Sequence, residues 1–332
     1  MGTGGATHLR HGSVAGMNGS PSVSVVMSVY NGAATLAATM DSVLAQEGVD
    51  FEFIVVNDGS TDGSGAILDD YARCDDRVRV IHQDNTGLTR ALIRGCAEAR
   101  GKYIARQDAG GDISLPERLV RQFAFLEANS DVVMTSCGTR FIGPENEFLY
   151  DIVQQSDELR QGLEQLRIDR VRGPSHHGST MFRQVAYQAV GGYRPEFRVA
   201  QDLDLWMRLV EIGSCIATPE VLYQACLTLG TISHMHRSEQ LKVANIILQC
   251  ATIRRSNGDE KLTLQQFMRN NRKVRWLSIP RSLQNARFYY FVGSLLRLKQ
   301  PARARIYYQH ALKSWFLYPR ALFGLWLLRG RP

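Results

Sequence analysis

The chain has 332 residues, 44% of them hydrophobic, so it can bury a full core and has room for about two domains. Its six cysteines are scattered without a Cys-x-x-Cys pair, which excludes the usual zinc and dithiol redox sites and favours a reducing cytosol. The net charge of +7 conceals a division, because residues 1–230 carry 20 Lys/Arg against 29 Asp/Glu, whereas residues 231–332 carry 19 against 3.

The first half of the chain alternates predicted strands and helices. Residues 1–21 lack the apolar core of a signal peptide and predict a disordered leader. From Val23 onward, short β-branched runs alternate with helical segments, which predicts a parallel sheet covered on both faces. The predicted strands are Val23–Val29 and residues 51–56, 78–81 and 102–106, and the predicted helices are residues 33–46, 63–73 and 87–99.

The predicted strands end at residues that can build a ligand site. Right-handed crossovers bring the carboxyl ends of parallel strands to one edge, where open α/β sheets bind ligands. Those ends are Tyr30, Asn57, His82 and Gln107. The acidic, glycine-containing turn that runs from Asn57 to Asp62 places a carboxylate and backbone amides where a nucleotide can dock. An Asx helix cap is the simpler interpretation of this turn when it is taken alone.

The regular alternation weakens after about residue 133. Helices are predicted at residues 157–168 and 200–212, with a loop around residues 173–178, and this part resembles an acceptor-facing half. From residue 238 the chain is helical and basic, with breaks near Pro280, Pro301 and Pro319. The predicted units are residues 22–237, divided into 22–130 and 131–237, and a basic helical region of residues 238–332.

The basic region predicts contact with an anionic surface. Trp276, Trp315 and Trp326 stand among arginines, as in helices that lie on an anionic leaflet. Nucleic acid is the disfavoured alternative partner for this charge, and a solvated bundle or an oligomer surface is the third interpretation. The apolar stretch at residues 315–328 is interrupted by Pro319 and Arg320, so no spanning helix is predicted.

Six short motifs follow one another along roughly residues 22–235. They are VVMSVYNG at 25–32, VVNDGSTD at 55–62, GLTRAL at 87–92, RQDAGGD at 106–112, HGSTMF at 177–182 and QDLDLW at 201–206. In order and approximate spacing, these motifs resemble family 2 glycosyltransferases. The resemblance implies the GT-A fold, an α/β architecture with a Rossmann-like, mostly parallel sheet flanked by helices, here followed by a basic helical extension. It also implies a nucleotide-sugar donor.

The resemblance implies a donor site at the strand ends. Asp58 is expected to accept a hydrogen bond from the imide of a uracil-like base, with Ser28 and Tyr30 framing the ring. Arg90 is expected to contact a phosphate from the start of its helix, although an exposed surface arginine is an equal alternative. The predicted nucleotide-sugar-binding residues are Ser28, Tyr30, Asp58, Arg90, Gln107 and Asp108.

The resemblance also implies a divalent cation, Mg²⁺ or Mn²⁺, held by Asp108 against the diphosphate. The sequence departs from the family's Asp-Ala-Asp-Asp pattern, because Gly110 and Gly111 precede the next carboxylate, Asp112. Two alternatives remain open: Asp112 reaches the metal through a glycine-loosened loop, or Asp108 acts with phosphate oxygens and water alone. His234 or His236 could supply a further ligand.

Asp202 is implied to be the general base that deprotonates the acceptor hydroxyl. A single base suits inversion by direct displacement, since a metal-bound diphosphate leaves without an acid. Gln201 replaces the family's usual Glu beside this residue. His177 lies in a glycine-containing loop and is a predicted acceptor-side residue, with a structural role as the alternative.

Taken together, the sequence predicts an inverting, metal-dependent glycosyltransferase at the inner face of a membrane. The predicted donor is a UDP- or dTDP-type sugar, and the predicted acceptor is a hydroxyl of a surface glycan or lipid-linked intermediate. Gly110, Gly111 and Gln201 motivate one alternative, a catalytically impaired module that still binds a nucleotide sugar. An NAD-dependent oxidoreductase is disfavoured because no Gly-x-Gly-x-x-Gly follows the first strand.

Overall fold

The computed structural model describes residues 19–229, 237–271 and 280–328. Within these ranges the chain forms nine strands, which make one sheet, and twelve α-helices. The predictions for residues 1–18, His234, His236 and Trp276 lie outside the described residues. No described helix is both long enough and apolar enough to cross a membrane.

The sheet is parallel on one side and mixed on the other. Its strands are β1 (Val23–Val29), β2 (Phe51–Asp58), β3 (Val78–Gln83), β4 (Tyr103–Arg106), β5 (Ile113–Ser114), β6 (Val132–Ile142), β7 (Phe148–Ile152), β8 (Thr180–Arg183) and β9 (Ser214–Cys226). Their order is β3-β2-β1-β4-β8-β6-β9-β5, and β7 pairs with β6. The pairs among β1 to β4 are parallel, β8 is antiparallel to both β4 and β6, and β6 is parallel to β9.

Helices cover both faces of this sheet. They are α1 (Ala33–Leu44), α2 (Ser64–Cys74), α3 (Leu88–Ala97), α4 (Arg118–Ala128), α5 (Ser156–Glu164), α6 (Gln184–Ala189), α7 (Gln201–Leu209), α8 (Arg237–Arg255), α9 (Lys261–Asn271), α10 (Arg281–Leu296), α11 (Pro301–Ser314) and α12 (Pro319–Leu327). One core joins the sheet to α1, α2 and α4, and another joins it to α3, α5, α6, α7 and α8. The layered α/β architecture that the sequence predicted is therefore present.

The predicted elements of the first half all form, with ends within two residues of the predicted ones. Strand β2 is buried at every position, as its continuous apolar run predicts for a central parallel strand. Helix α3 begins after Gly87, whose φ of 89° is a conformation that glycine adopts without strain. Local sequence signals predict these elements correctly because each signal favours the secondary structure that its position in the sheet requires.

The second half is more regular than the sequence suggested. β6 and β9 have 11 and 13 residues and pair with each other, although about 70 residues separate them in the chain. Helices α5 and α7 end before the predicted 168 and 212. Beyond residue 237, α8 packs on the main core through Val243 and Ile247. The boundary at 237/238 remains a prediction.

Helices α10, α11 and α12 form a bundle with a core of its own. Pro301 and Pro319 occupy first-turn positions of α11 and α12, where a missing N–H costs nothing. The bundle core includes Leu149 of β7. The Tyr307 hydroxyl of α11 donates a buried 2.8 Å hydrogen bond to Oε1 of Glu147, just before β7. The bundle is thereby attached to the sheet through the β6–β7 hairpin.

Candidate functional site

The candidate site lies at the carboxyl ends of the parallel strands, as the sequence predicted for this fold. Strand β4 ends at Arg106 between β1 and β8, and the loop that follows it carries Asp108 and Asp112. The 3₁₀ turn of residues 177–179, which leads into β8, brings His176 to the same place. One ligand atom from each of Asp108, Asp112 and His176 lies within 4.8 Å of the others.

Asp108 is held by a buried arginine. The guanidinium of Arg106 is fully buried, donates to Oδ1 of Asp108 at 2.6 Å and also donates to the carbonyl oxygen of Val26. Burial raises the pKa of Asp108, but the surrounding charges, of which Arg106 is the strongest, together outweigh burial and hold that pKa below its ordinary value. Asp108 is therefore a fixed carboxylate whose Oδ2 remains available to a ligand.

Asp112 is brought back beside Asp108 by two glycines. Gly110 and Gly111 have φ values of 107° and 94°, which side-chain-bearing residues rarely adopt. Oδ1 of Asp112 accepts from the backbone N–H of Cys226 at 2.9 Å, and Oδ2 accepts from the Tyr223 hydroxyl at 3.0 Å. Burial, followed by the negative charge of Asp108, raises the pKa of Asp112 to about 6.

Tyr223 forms hydrogen bonds to this loop and packs against His176. Its hydroxyl accepts from the backbone N–H of Asp108 at 3.1 Å, in addition to donating to Asp112. Its ring stacks on the imidazole of His176, with centroids 5.3 Å apart and planes 23° apart. The guanidinium of Arg118 lies over the same ring at 4.9 Å. A single buried side chain thus contacts all three members of the cluster.

The imidazole of His176 lies close to both carboxylates. Its Nδ1 lies 3.7 Å from Oδ2 of Asp108 and 3.7 Å from Oδ2 of Asp112. The backbone N–H of Gly178 donates to Nδ1 at 3.1 Å, and this bond fixes the orientation of the ring. A cation bound here would replace that donor at Nδ1.

The cluster fits a hard divalent cation. Two carboxylate oxygens and one imidazole nitrogen converge, and Mg²⁺ and Mn²⁺ accept such a set together with diphosphate oxygens and water. The residues that would hold the ion are Asp108, Asp112 and His176. Of the two arrangements that the sequence left open, the geometry favours the one in which Asp112 joins Asp108, while the assignment of a bound metal stays a prediction.

Asp202 lies in the first turn of α7 and is half-buried. Burial raises its pKa, and the negative charge of Asp108 raises it further, so the two carboxylates share one electrostatic environment. Its neighbour Asp204 differs, because it is fully buried and paired with Arg194 and Arg208. Asp204 therefore has the contacts of a structural residue, whereas the role of Asp202 as a general base stays a prediction.

Asp58 is buried and tied to the loop that precedes α3. Its Oδ1 accepts from Gln83 Nε2 at 2.8 Å and from the Thr86 N–H at 2.9 Å, and its Oδ2 accepts from the Gly87 N–H at 2.8 Å. The Asx-type bond of the adjacent turn belongs to Asn57, whose Oδ1 accepts from the Ser60 N–H at 3.1 Å. The contact between Asp58 and a base stays a prediction.

The other predicted donor-site residues differ in how exposed their side chains are to solvent. Tyr30 is 55% exposed, Ser28 is half-buried, and Arg90 is exposed on the first turn of α3. Gln107 is fully buried, and its amide donates to the carbonyl of Asp112 at 3.1 Å. Gln107 thus holds the carboxylate loop, whereas the exposed residues are open to a ligand.

His177, the predicted acceptor-side residue, is only 8% exposed. Its Nε2 lies 2.7 Å from the Tyr193 hydroxyl and accepts from Arg106 Nε at 3.3 Å. Burial, followed by the Arg106 charge, lowers the pKa of His177 to about 3, so the ring is neutral.

Three residues of the site carry no role in the sequence prediction: His176, Tyr223 and Arg106. The adjacent histidines at 176 and 177 are the available signal for His176, but only the 3₁₀ turn decides which ring faces the carboxylates.

Known proteins resemble the chain over this same region. The model of the family described as "Glycosyl transferase family 2" matches residues 24–191. EpsE of Bacillus subtilis strain 168, a protein classed as a glycosyltransferase, is 35% identical over 204 residues, which cover 59% of this chain and 69% of EpsE. The uncharacterized glycosyltransferase RP339 of Rickettsia prowazekii is 28% identical over 208 residues, covering 62% of this chain and 64% of that protein. The matches span about two thirds of each relative.

Solved structures share the fold. A crystal structure of residues 1–349 of S. aureus TarS with UDP superimposes with a TM-score of 0.55 and 16% identity, over 88% of each chain. The same protein with UDP-GlcNAc gives a TM-score of 0.56 and 17% identity, over 88% of this chain and 87% of that one. Because the family model matches and the architecture is that of the GT-A fold, the chain belongs to glycosyl transferase family 2.

Proposed function

We propose that this protein is an inverting glycosyltransferase that moves a sugar from a nucleoside-diphosphate donor, of UDP or dTDP type, to an acceptor hydroxyl. One observation carries the proposal: Asp108, Asp112 and His176 converge at the sheet edge, within the electrostatic reach of Asp202. The presence of UDP and UDP-GlcNAc in the similarly folded TarS structures supports a donor of this class.

Each residue has a role that follows from its position. Asp108, Asp112 and His176 would hold Mg²⁺ or Mn²⁺, which when bound neutralises charge on the diphosphate leaving group. Asp202 accepts the proton of the acceptor hydroxyl, and its raised pKa makes it a better base than an exposed aspartate. Arg106 keeps Asp108 ionised and fixed. Asp58 orders the loop before α3 and offers the remaining lone pair of Oδ2 to the base.

A catalytically impaired nucleotide-sugar-binding module is the second candidate. Gly110 and Gly111 and the neutral Gln201 favour it, because each stands where the family has a carboxylate. The positive φ angles of both glycines favour the enzyme instead, since they let Asp112 return beside Asp108. His176 also supplies a third ligand atom in this arrangement.

The acceptor side of the proposal is a glycan or lipid-linked hydroxyl at the inner face of a membrane. Residues 231–332 carry 19 Lys/Arg against 3 Asp/Glu, and this charge supports an anionic membrane surface as a partner. A lipid-linked acceptor would be concentrated at that surface, and the cytoplasmic, peripheral location belongs to the same proposal.

The test combines binding with turnover. Thermal shift against a panel of nucleotide sugars, with Mn²⁺ or Mg²⁺, identifies the donor because a ligand of the folded state raises apparent stability. Donor turnover is then compared between the wild type and Asp202→Asn. We expect both proteins to bind the donor and only the wild type to turn it over. Binding without turnover by the wild type across the whole panel would establish the impaired module instead.

A further inference from the structure

Helix α12 is apolar on its inner and outer faces and carries one charged residue, Arg320. Its inner face, with Ala321 and Gly324, is buried in the bundle, where Leu328 follows the helix. Its outer face carries Leu322, Phe323 and Trp326, which are 46%, 57% and 58% exposed. A helix with apolar residues on opposite faces normally has a partner on each of these faces. The outer face of α12 is therefore a candidate docking surface.

The segment before α12 in sequence also exposes apolar side chains. Trp315, Phe316 and Leu317 are 40%, 83% and 65% exposed, and they join α11 to α12. We call these exposed residues the aromatic edge: Trp315, Phe316, Leu317, Leu322, Phe323 and Trp326. Isolated exposed apolar side chains are ordinary, but six of them within residues 315–326, four of them aromatic and two of these stacked as Phe323 on Trp326, indicate an interaction site.

The positive charge around the aromatic edge favours an anionic partner. Residues 280–328 contain eight Lys/Arg and no Asp/Glu. Lys313 and Arg320 are exposed next to the edge in sequence, and Arg305 donates to the carbonyl of Leu328 at 3.2 Å, at the end of α12. Aromatic and aliphatic side chains bordered by cations suit the boundary between acyl chains and anionic headgroups.

We propose that the aromatic edge inserts into the interfacial region of an anionic lipid bilayer. The inference rests on the membrane partner of the proposed function and adds the residues that enter the bilayer. A second copy of the chain is the competing partner. Pairing of two edges face to face would bring like charges together, which disfavours a symmetric dimer through this surface.

The test measures binding of the full chain to vesicles by flotation. The probes are vesicles of phosphatidylcholine with phosphatidylglycerol and vesicles of phosphatidylcholine alone. The variant Phe316→Ser/Phe323→Ser/Trp326→Ser removes three exposed rings, and Leu262→Ser, at a 70% exposed position of α9, is the matched control. We expect the triple variant to lose at least roughly tenfold in affinity for anionic vesicles, and the control to bind like the wild type.

Two further readouts separate the outcomes. Brominated lipids should quench the tryptophan fluorescence of the wild type and quench Trp326→Phe less, which reports insertion rather than adsorption. The nucleotide-induced thermal shift should be equal in the triple variant and the wild type, which shows an intact fold and donor site.

Each contrary result has a defined meaning. Undiminished vesicle binding by the triple variant would overturn the insertion of the edge while leaving the proposed membrane partner in place. Equal binding of the wild type to neutral vesicles would overturn the requirement for anionic lipid. A wild-type dimer that the triple variant converts to a monomer, with vesicle binding unchanged, would assign the edge to a second copy. Absence of wild-type binding would overturn both membrane proposals without touching the donor site.

Discussion

Tyr223 donates to Asp112 Oδ2 at 3.0 Å, and the same hydroxyl accepts from the backbone N–H of Asp108 at 3.1 Å. The Tyr223 hydroxyl thus links the two residues and sets the spacing between them. It is fully buried, and Gly178 passes so close to it that a Cβ there would overlap the hydroxyl. The glycine after His177 is therefore required by packing, and the packing serves the carboxylate cluster.

Tyr223→Phe should weaken cation binding while keeping the fold. The ring that stacks on His176 remains, but the bonds to Asp108 and Asp112 are lost. Losing an outer partner of a metal site typically lowers affinity by about 10- to 100-fold. Calorimetric titration with Mn²⁺ measures the change. Tyr71→Phe is the control, because its hydroxyl bonds Asp41 at an exposed site on α2. Equal Mn²⁺ affinity of Tyr223→Phe and the wild type would contradict the prediction.

Asp202→Asn and Asp204→Asn should fail in different ways. Asp202→Asn removes the proposed base, so transfer should fall by about 10²- to 10⁴-fold at nearly unchanged stability. Asp204→Asn leaves Arg194 and Arg208 without their buried carboxylate and should cost about 3 to 5 kcal/mol in the free energy of unfolding. Urea unfolding and a transfer assay, run on both variants, separate the two effects. A stable Asp204→Asn variant without activity would reverse the assignments.

Asp112→Asn should stabilise the cation-free protein. The pKa of Asp112 is raised from 3.8 to about 6, so the folded state favours the protonated carboxyl, and the wild type loses stability as the pH rises between these values. At about pH 7 in EDTA, the free energy of unfolding of the variant should be about 1 to 3 kcal/mol higher than that of the wild type. The difference should vanish towards about pH 4, where both side chains are neutral. A difference in the free energy of unfolding that increases as the pH falls would contradict the prediction.

His176→Ala and His177→Ala should separate binding from folding. His176→Ala removes a ligand atom of the cluster and should lower Mn²⁺ affinity at least about tenfold. His177→Ala leaves the Tyr193 hydroxyl and Arg106 Nε without a buried acceptor, which should cost about 1 to 3 kcal/mol of stability. Thermal unfolding and Mn²⁺ titration of both variants provide the comparison. The opposite pattern would identify His177 as the functional histidine, in keeping with its predicted acceptor-side role.

The parallel half of the sheet was predictable because its information is local. Strands β1 and β2 are buried apolar runs, β3 is a half-buried edge strand, and a polar turn follows each of them, while the intervening helices show their own period. Strands β6 and β9 are paired across about 70 residues, and their irregular burial carries no clear period, so no local window reveals them. Their partner strands, rather than their propensities, define them.

The candidate site was predictable where a motif marked it and unpredictable where tertiary packing built it. Asp108, Asp112 and Asp202 came from the motifs, and the structure places them in one electrostatic environment. Tyr223 and Arg106 lie in strands, where a tyrosine or a buried arginine has no sequence signature of function. The position of Gln107 after β4 predicts a donor contact, but burial directs its amide to the loop backbone.

The bond between Tyr307 and Glu147 has a consequence for the choice of acceptor. Glu147 stands next to the β6–β7 hairpin, and β6 pairs with β9 as far as Cys226, whose N–H holds Asp112. The bundle and the carboxylate cluster are thus joined by a short, hydrogen-bonded path. If the aromatic edge inserts into a bilayer, as proposed, this connection would set the height of Asp202 above the headgroups. If the proposed acceptor is lipid-linked, only a hydroxyl held at that height would reach Asp202.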